Sequence, residues 1–213
     1  MTEAEWLSSQ DPAAMLRSLS ARYAFQRRRG ESPDLERLRL FACACCRRVW
    51  ALLDEEHRKS VAMIEEYVTA PTTDGLRAAR RVRWAAGNKA SNDYDGLSRA
   101  TPHDRRKCLI AWARNIASSA VWEAADKNPV TAANCYRSAA QAAHALALSK
   151  GLAINGPDPG HIGYELPSDG EVVAQASMLR EIVGNPFASQ PASKQPKSTP
   201  NKAVNPSGGS GGF

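Results

Sequence analysis

Leu35-Glu36-Arg37-Leu38-Arg39-Leu40-Phe41-Ala42-Cys43-Ala44-Cys45-Cys46-Arg47-Arg48-Val49-Trp50-Ala51-Leu52-Leu53 is the stretch whose reading decides the fold. Leu35, Leu38, Ala42, Cys45, Val49 and Leu52 recur three and four apart, the spacing of one face of an α-helix. Phe41, Cys46 and Leu53 widen that face. The pattern predicts a long core helix over residues 33–53. Ser32-Pro33 starts it, a cap followed by a proline at the first helical position.

The same punctuation recurs outward in both directions. Thr2 with Glu5 three residues later is a capping box for a short first helix. Asp11-Pro12 opens a helix to about Tyr23, with Met15, Leu16 and Leu19 inside. Arg27-Arg28-Arg29-Gly30 is a basic break. Asp54 caps a helix carrying Val61, Ile64 and Val68, which stops before Pro71. Thr73 opens one with Leu76, Ala79, Val82 and Ala86; it fades in Asn92-Asp93-Tyr94-Asp95-Gly96, a loop composition. Thr101-Pro102 starts a helix through Cys108, Leu109, Trp112 and Ile116 to about Lys127. Asn128-Pro129 starts an alanine-rich helix that ends at Lys150-Gly151. After an irregular crossing over 152–167, Ser168 or Asp169 starts a last helix, which stops at Gly184-Asn185-Pro186. The reading is all-α: an irregular bundle of six or seven helices over residues 1–187, followed by a disordered tail over 188–213. The tail holds mainly Ser, Pro, Lys, Asn and Gly, too little apolar surface to fold.

Composition narrows the function classes. The 213 residues are 43% apolar with a net charge of +6. Three of those surplus positive charges are Lys194, Lys197 and Lys202 in the tail, so the folded part is only weakly basic, a poor basis for nucleic-acid binding. The acidic start Met1-Thr2-Glu3-Ala4-Glu5 lacks the form of a targeting signal. No apolar run reaches the ~18 residues of a membrane helix. These features predict a cytoplasmic protein with no membrane association and five reduced cysteines.

Cys43-Ala44-Cys45-Cys46 has the look of a metal or redox box but the wrong spacing. On a helix Cys43 and Cys46 share a side, whereas Cys45 lies about 200° from Cys43. A zinc site on Cys43 and Cys46 needs two further ligands from His57, Cys108 or Cys135, none in a paired motif. Core packing is the favoured reading, with thiol or metal chemistry on Cys43–Cys46 as an alternative. His57, His103, His144 and His161 are scattered. No nucleophile elbow or phosphate loop is present, so no catalytic residue, metal or cofactor is assigned and no enzyme activity is expected.

The best candidate surface is basic and aromatic. Arg77, Arg80 and Arg81 fall on one side of the 74–92 helix, Trp84 is placed to join them, and Arg83 extends the patch. Arginine beside an exposed tryptophan suits phosphates and stacked bases. The plainer reading, favoured here, packs Trp84 into the core and leaves the arginines on a solvated face.

Met1-Thr2-Glu3-Ala4-Glu5-Trp6-Leu7, Leu38-Arg39-Leu40-Phe41-Ala42-Cys43-Ala44-Cys45-Cys46-Arg47-Arg48 and Leu179-Arg180-Glu181-Ile182-Val183-Gly184-Asn185-Pro186-Phe187 together resemble a family of uncharacterised helical proteins abundant in planctomycete bacteria. With Asp11-Pro12, Met15-Leu16 and Val49-Trp50, which share the resemblance, the matched stretches cover 33 of the 213 residues and bracket the folded part. The resemblance implies a bacterial, intracellular, helical protein and no activity. Members of that family continue past the Asn-Pro-Phe motif into a further folded segment, where this chain has its low-complexity tail.

The expected function is therefore a non-enzymatic interaction or regulatory module. Its partner would be another protein, met through an aromatic patch that Trp6, Trp84 or Trp122 supplies. Nucleic-acid binding through the basic face of the 74–92 helix is the alternative. The sequence does not fix the oligomeric state.

Overall fold

The computed structural model describes residues 1–30, 35–72, 74–100, 104–149 and 169–187. These form nine α-helices and one 3-10 turn, and no strand. In order they are α1 (Glu3–Ser8), α2 (Pro12–Arg28), α3 (Glu36–Arg48), the 3-10 turn (Trp50–Leu52), α4 (Glu55–Thr69), α5 (Gly75–Ala100), α6 (Arg105–Ala124), α7 (Pro129–Ala132), α8 (Cys135–Ala147) and α9 (Asp169–Val183). The all-α reading stands. No helix among the described residues is long and apolar enough to cross a membrane. The expected tail over 188–213, the starts at Ser32-Pro33, Thr73 and Thr101-Pro102, and the stop at Lys150-Gly151 lie outside the described residues.

The caps explain most helix starts. Thr2 and Glu5 close the capping box at α1. Asp11 accepts from the Ala13 amide at α2, Asp54 from His57 at α4, and Asn128 from Val130 at α7. At α6 the cap is Asp104, which accepts from Lys107. Each such carboxylate or amide satisfies an amide that the helix itself leaves orphaned.

The centre of the bundle is α3. It packs against α4, α6, α7, α8 and α9. Leu38, Phe41, Ala42, Cys45 and Cys46 are buried as the stripe predicts, but so are Arg39 and Cys43. A helix enclosed on nearly all sides has no solvent face at its middle. Around it, α6 and α8 meet through alanine: Ala113, Ala117, Ala120 and Ala124 on one, Ala139, Ala142 and Ala145 on the other, all fully buried. The small side chains permit close approach of the two backbones.

Besides shifts at helix ends, with α2 running to Arg28 through part of the expected basic break and the helix expected over 33–53 stopping at Arg48, where Val49 donates to the Cys46 carbonyl three residues back and the 3-10 turn follows, two predicted elements differ. The expected fade at residues 92–96 does not occur, because α5 continues to Ala100. Ala90, Tyr94 and Leu97 are partly buried at helical spacing while Asp93, Asp95 and Gly96 are exposed; packing on one side carries the helix through a loop-like composition. Nothing lies within 4 Å of a side chain added at Gly96. Gly96→Ala is thus expected to raise stability by about 0.5–1 kcal/mol in a denaturant melt. The other difference is the single helix expected over 128–150, which divides into α7 and α8. Asn134 and Tyr136 donate to the carbonyls three residues back, Thr131 and Ala133. That tight turn keeps Ala132, Ala133 and Cys135 all fully buried, with the Cys135 thiol donating to the Ala42 carbonyl of α3 at 3.4 Å.

The two ends of the described chain meet. The Trp6 and Phe187 rings lie 6.5 Å apart, and the Arg22 guanidinium sits over Phe187 at 5.0 Å. Asn185 donates to the Glu3 carboxylate, and Arg180 on α9 donates to the Ser9 carbonyl after α1. Arg48 on α3 holds Glu171 on α9 through two bonds of 2.7 Å. Gly184 has φ +77°, the left-handed conformation that ends α9 and turns the chain toward α1.

Candidate functional site

The candidate surface runs along α5 and the end of α6. Burial on α5 follows Ala79, Arg83 and Ala86, the side packed against α4, whose Ser60 donates to the Ala79 carbonyl, and α6. Arg77 and Arg81 lie outside this stripe and are exposed, and Arg80 is partly buried. Arg77 meets Asp74 at 3.3 Å in an ion pair open to solvent. Such a pair contributes little to stability.

Arg83 does not extend the patch as expected; it is only 6% exposed. Its guanidinium lies 3.7 Å above the Trp122 ring and donates to the Trp122 carbonyl. Burial, with Arg80 nearby, pushes its pKa down to about 10, so it remains charged at neutral pH. The helical period puts position 83 between the small residues Ala79 and Ala86, which leaves room for a long side chain to reach α6. Arg83 is a strut between helices.

Trp84 does not pack into the core. It is 60% exposed, and Trp122 is 45% exposed. The Trp122 ring packs over Gly87: a side chain begun there would lie 4.0 Å from it. Trp84 is one turn before Gly87 on the same side. The two tryptophans therefore form one aromatic face, bordered by Arg77, Arg80 and Arg81. Trp6, by contrast, is fully buried and belongs to the core.

The cysteines stand as packing groups. All five are buried and none forms a disulfide. Cys135 lies within hydrogen-bonding reach of Cys45 and Cys46. Burial pushes the Cys43 and Cys135 thiols well up, and the neighbouring thiols add to it. A thiol held protonated is a poor nucleophile and a poor metal ligand. No three His, Cys, Asp or Glu side chains gather at metal-binding distance among the described residues. A bulky thiol reagent is expected to label the native protein slowly at Cys45 and Cys46 and rapidly in denaturant. Cys45→Ser, which buries a hydroxyl, is expected to lower stability by about 1–3 kcal/mol.

A second arrangement was not visible in the sequence, because its members are brought together from different helices. His57 is buried; its Nδ1 is 2.7 Å from Asp54 Oδ1 and its Nε2 is 2.7 Å from Ser118 Oγ. Asp54 and His57 are three apart, so the cap of α4 already hinted at the first contact. Ser118 comes from the interior of α6. The chain of contacts has the connectivity of a serine-hydrolase relay but lacks its working parts. Ser118 is buried inside a helix whose own hydrogen bonds occupy the nearby backbone amides, leaving no donors for an oxyanion. The trio is a polar tie between α4 and α6.

This tie has a pH signature. Burial pushes the Asp54 carboxyl up, but the His57 amide and ring outweigh it and leave the pKa below the usual value. A carboxyl lowered in the folded state contributes stability above its unfolded pKa, near 4, and loses it as pH falls through the folded value. Asp54→Asn is therefore expected to melt below wild type at pH 7, with the gap narrowing below about pH 4. An equal gap at both pH values would show that the carboxylate charge contributes nothing.

Beside this tie is a cavity of about 450 Å³. The 3-10 turn, the start of α4, α5 and α6 enclose it. Leu52, Leu53 and His57 are buried in its wall, while Asp54, Lys89, Asp93 and Arg114 are exposed at its edge. Comparison with protein-family models, curated proteins and solved structures gave no significant match.

Proposed function

We propose that the protein is a non-enzymatic interaction module that docks an acidic segment of a partner protein on α5 and α6. The observation that carries this is the pairing of Trp84 and Trp122 on one exposed face. Large aromatic side chains left in solvent supply contact area at low entropic cost and are the usual anchors of protein interfaces. Arg77, Arg80 and Arg81 border them, so a partner segment carrying carboxylates and a few apolar side chains is complementary in charge and in chemistry. The buried, protonated thiols suit a reducing cytoplasm, and the resemblance to the planctomycete family suits a bacterial one.

A photo-crosslinking amino acid at position 88, on the same exposed side of α5, tests the reading in the native host. The expected product is a crosslinked protein whose attached peptide is acidic. Trp84→Ala and Arg81→Glu should each abolish the crosslink without moving the melting temperature, because both side chains are exposed. Crosslinks to nucleic acid would instead favour the alternative. In that case duplex affinity should fall with salt at a log–log slope of roughly −2 to −3, since three arginines remain available and each phosphate contributes about −0.9.

A further inference from the structure

We propose that the cavity between the 3-10 turn, α5 and α6 binds a small zwitterion with an apolar body, the chemistry of a free amino acid with a large side chain. The cavity's 450 Å³ is the size of a small-molecule pocket. Its accessible apolar surface comes from Ala90, Tyr94, Leu97 and Ala111, which are only partly buried, with Leu52 and Leu53 packed behind them. Its edge carries two cations, Lys89 and Arg114, and two carboxylates, Asp54 and Asp93.

These charges are only partly spent on one another: Lys89 helps to hold the Asp54 carboxyl down without contacting it in an ion pair. Lys89 and Asp93 are one helical turn apart on α5, where such residues ordinarily pair, yet Lys89, Asp93 and Arg114 form no ion pair among the described residues. Asp54 Oδ1 is engaged by His57. A ligand of one sign would meet as many like charges as opposite ones. A ligand bearing both signs meets a partner for each, with its body against Tyr94 and Leu97. His57 offers no ring nitrogen to a ligand, because Asp54 and Ser118 engage both. Tyr94, also in the lining, has its pKa raised by burial, with Cys108 and Asp95 adding to it, so its hydroxyl remains a donor at neutral pH.

The test uses three probes of nearly equal size on the full-length, isotope-labelled protein, followed by two-dimensional NMR. They are L-phenylalanine, 3-phenylpropanoate, which lacks the cation, and L-phenylalanine amide, which lacks the anion. L-Phenylalanine is expected to shift resonances confined to residues 51–57, 89–97 and 111–114. The two single-charge probes should bind about tenfold more weakly, the loss of one charged contact. Lys89→Met should remove the preference over the amide, and Asp93→Asn the preference over 3-phenylpropanoate. Both residues are exposed, and unchanged melting confirms the fold. No shift at millimolar L-phenylalanine, shifts scattered over the surface, or equal binding of a single-charge probe would overturn the proposal.

Discussion

Arg39→Met is expected to destabilise the protein by about 3–5 kcal/mol, because it leaves three backbone carbonyls without their donor, at about 1–3 kcal/mol for each that stays buried and unpaired. Arg39 is 1% exposed at the centre of α3. Its Nε meets Glu36 at 3.0 Å. Its Nη1 donates to the Ala124 carbonyl at 3.4 Å and to Asp126 at 2.6 Å, and its Nη2 to Lys127 at 3.2 Å. The Ala124 carbonyl ends α6 and the other two lie just beyond it, where a helix leaves acceptors unpaired and carries partial negative charge. The planar guanidinium bridges several of them at once. Methionine fills much of the volume and satisfies none. Arg39→Lys keeps the charge but cannot fork, so it should fall between the two. Thermal melts of the three proteins check the order; a wild-type melt for Arg39→Met would mean that water replaces the guanidinium at no cost.

Trp6→Ala is the second large effect, at about 3–5 kcal/mol, or on the order of ten degrees in melting temperature. Trp6 is fully buried although α1 has only six residues. So short a helix is not stable alone; the indole holds it in the bundle. Phe187→Ala removes the ring beside Trp6 and should cost less, since Phe187 is only partly buried. Loss of amide protection at both ends of the chain, measured by hydrogen exchange, would show that α1 and residues 184–187 open together.

Much of the fold was legible because local chemistry wrote it down. Thr2, Asp11, Asp54 and Asn128 each announced a helix, and the spacing from Leu35 to Leu52 announced the central one. What escaped was written at longer range. Arg39 looks like the solvent side of an amphipathic helix, and only the end of α6 gives its charge a reason to be inside. Asp93, Asp95 and Gly96 look like a loop, and only the packing of Tyr94 and Leu97 makes them helical. The candidate surface was half legible. Helical spacing put Trp84 beside Arg80 and Arg81, but Trp122 joined them through a contact with Gly87 that no local pattern contains. The same spacing could not show that Arg83 turns inward, because its partner ring is 39 residues away in the chain.

The meeting of the two ends has a consequence for synthesis. Asn185 bonds Glu3 across 182 residues, and Arg180 bonds Ser9 across 171. On the ribosome, α1 emerges long before α9, and the Trp6 indole lacks the Phe187 ring until almost the whole described chain has been made. Contacts so distant in sequence slow the search for the native state. At about 5–20 residues per second, translation leaves this tryptophan without that ring for on the order of ten seconds or more. Over that interval the nascent chain presents a hydrophobic handle to chaperones, and the last helix withdraws it.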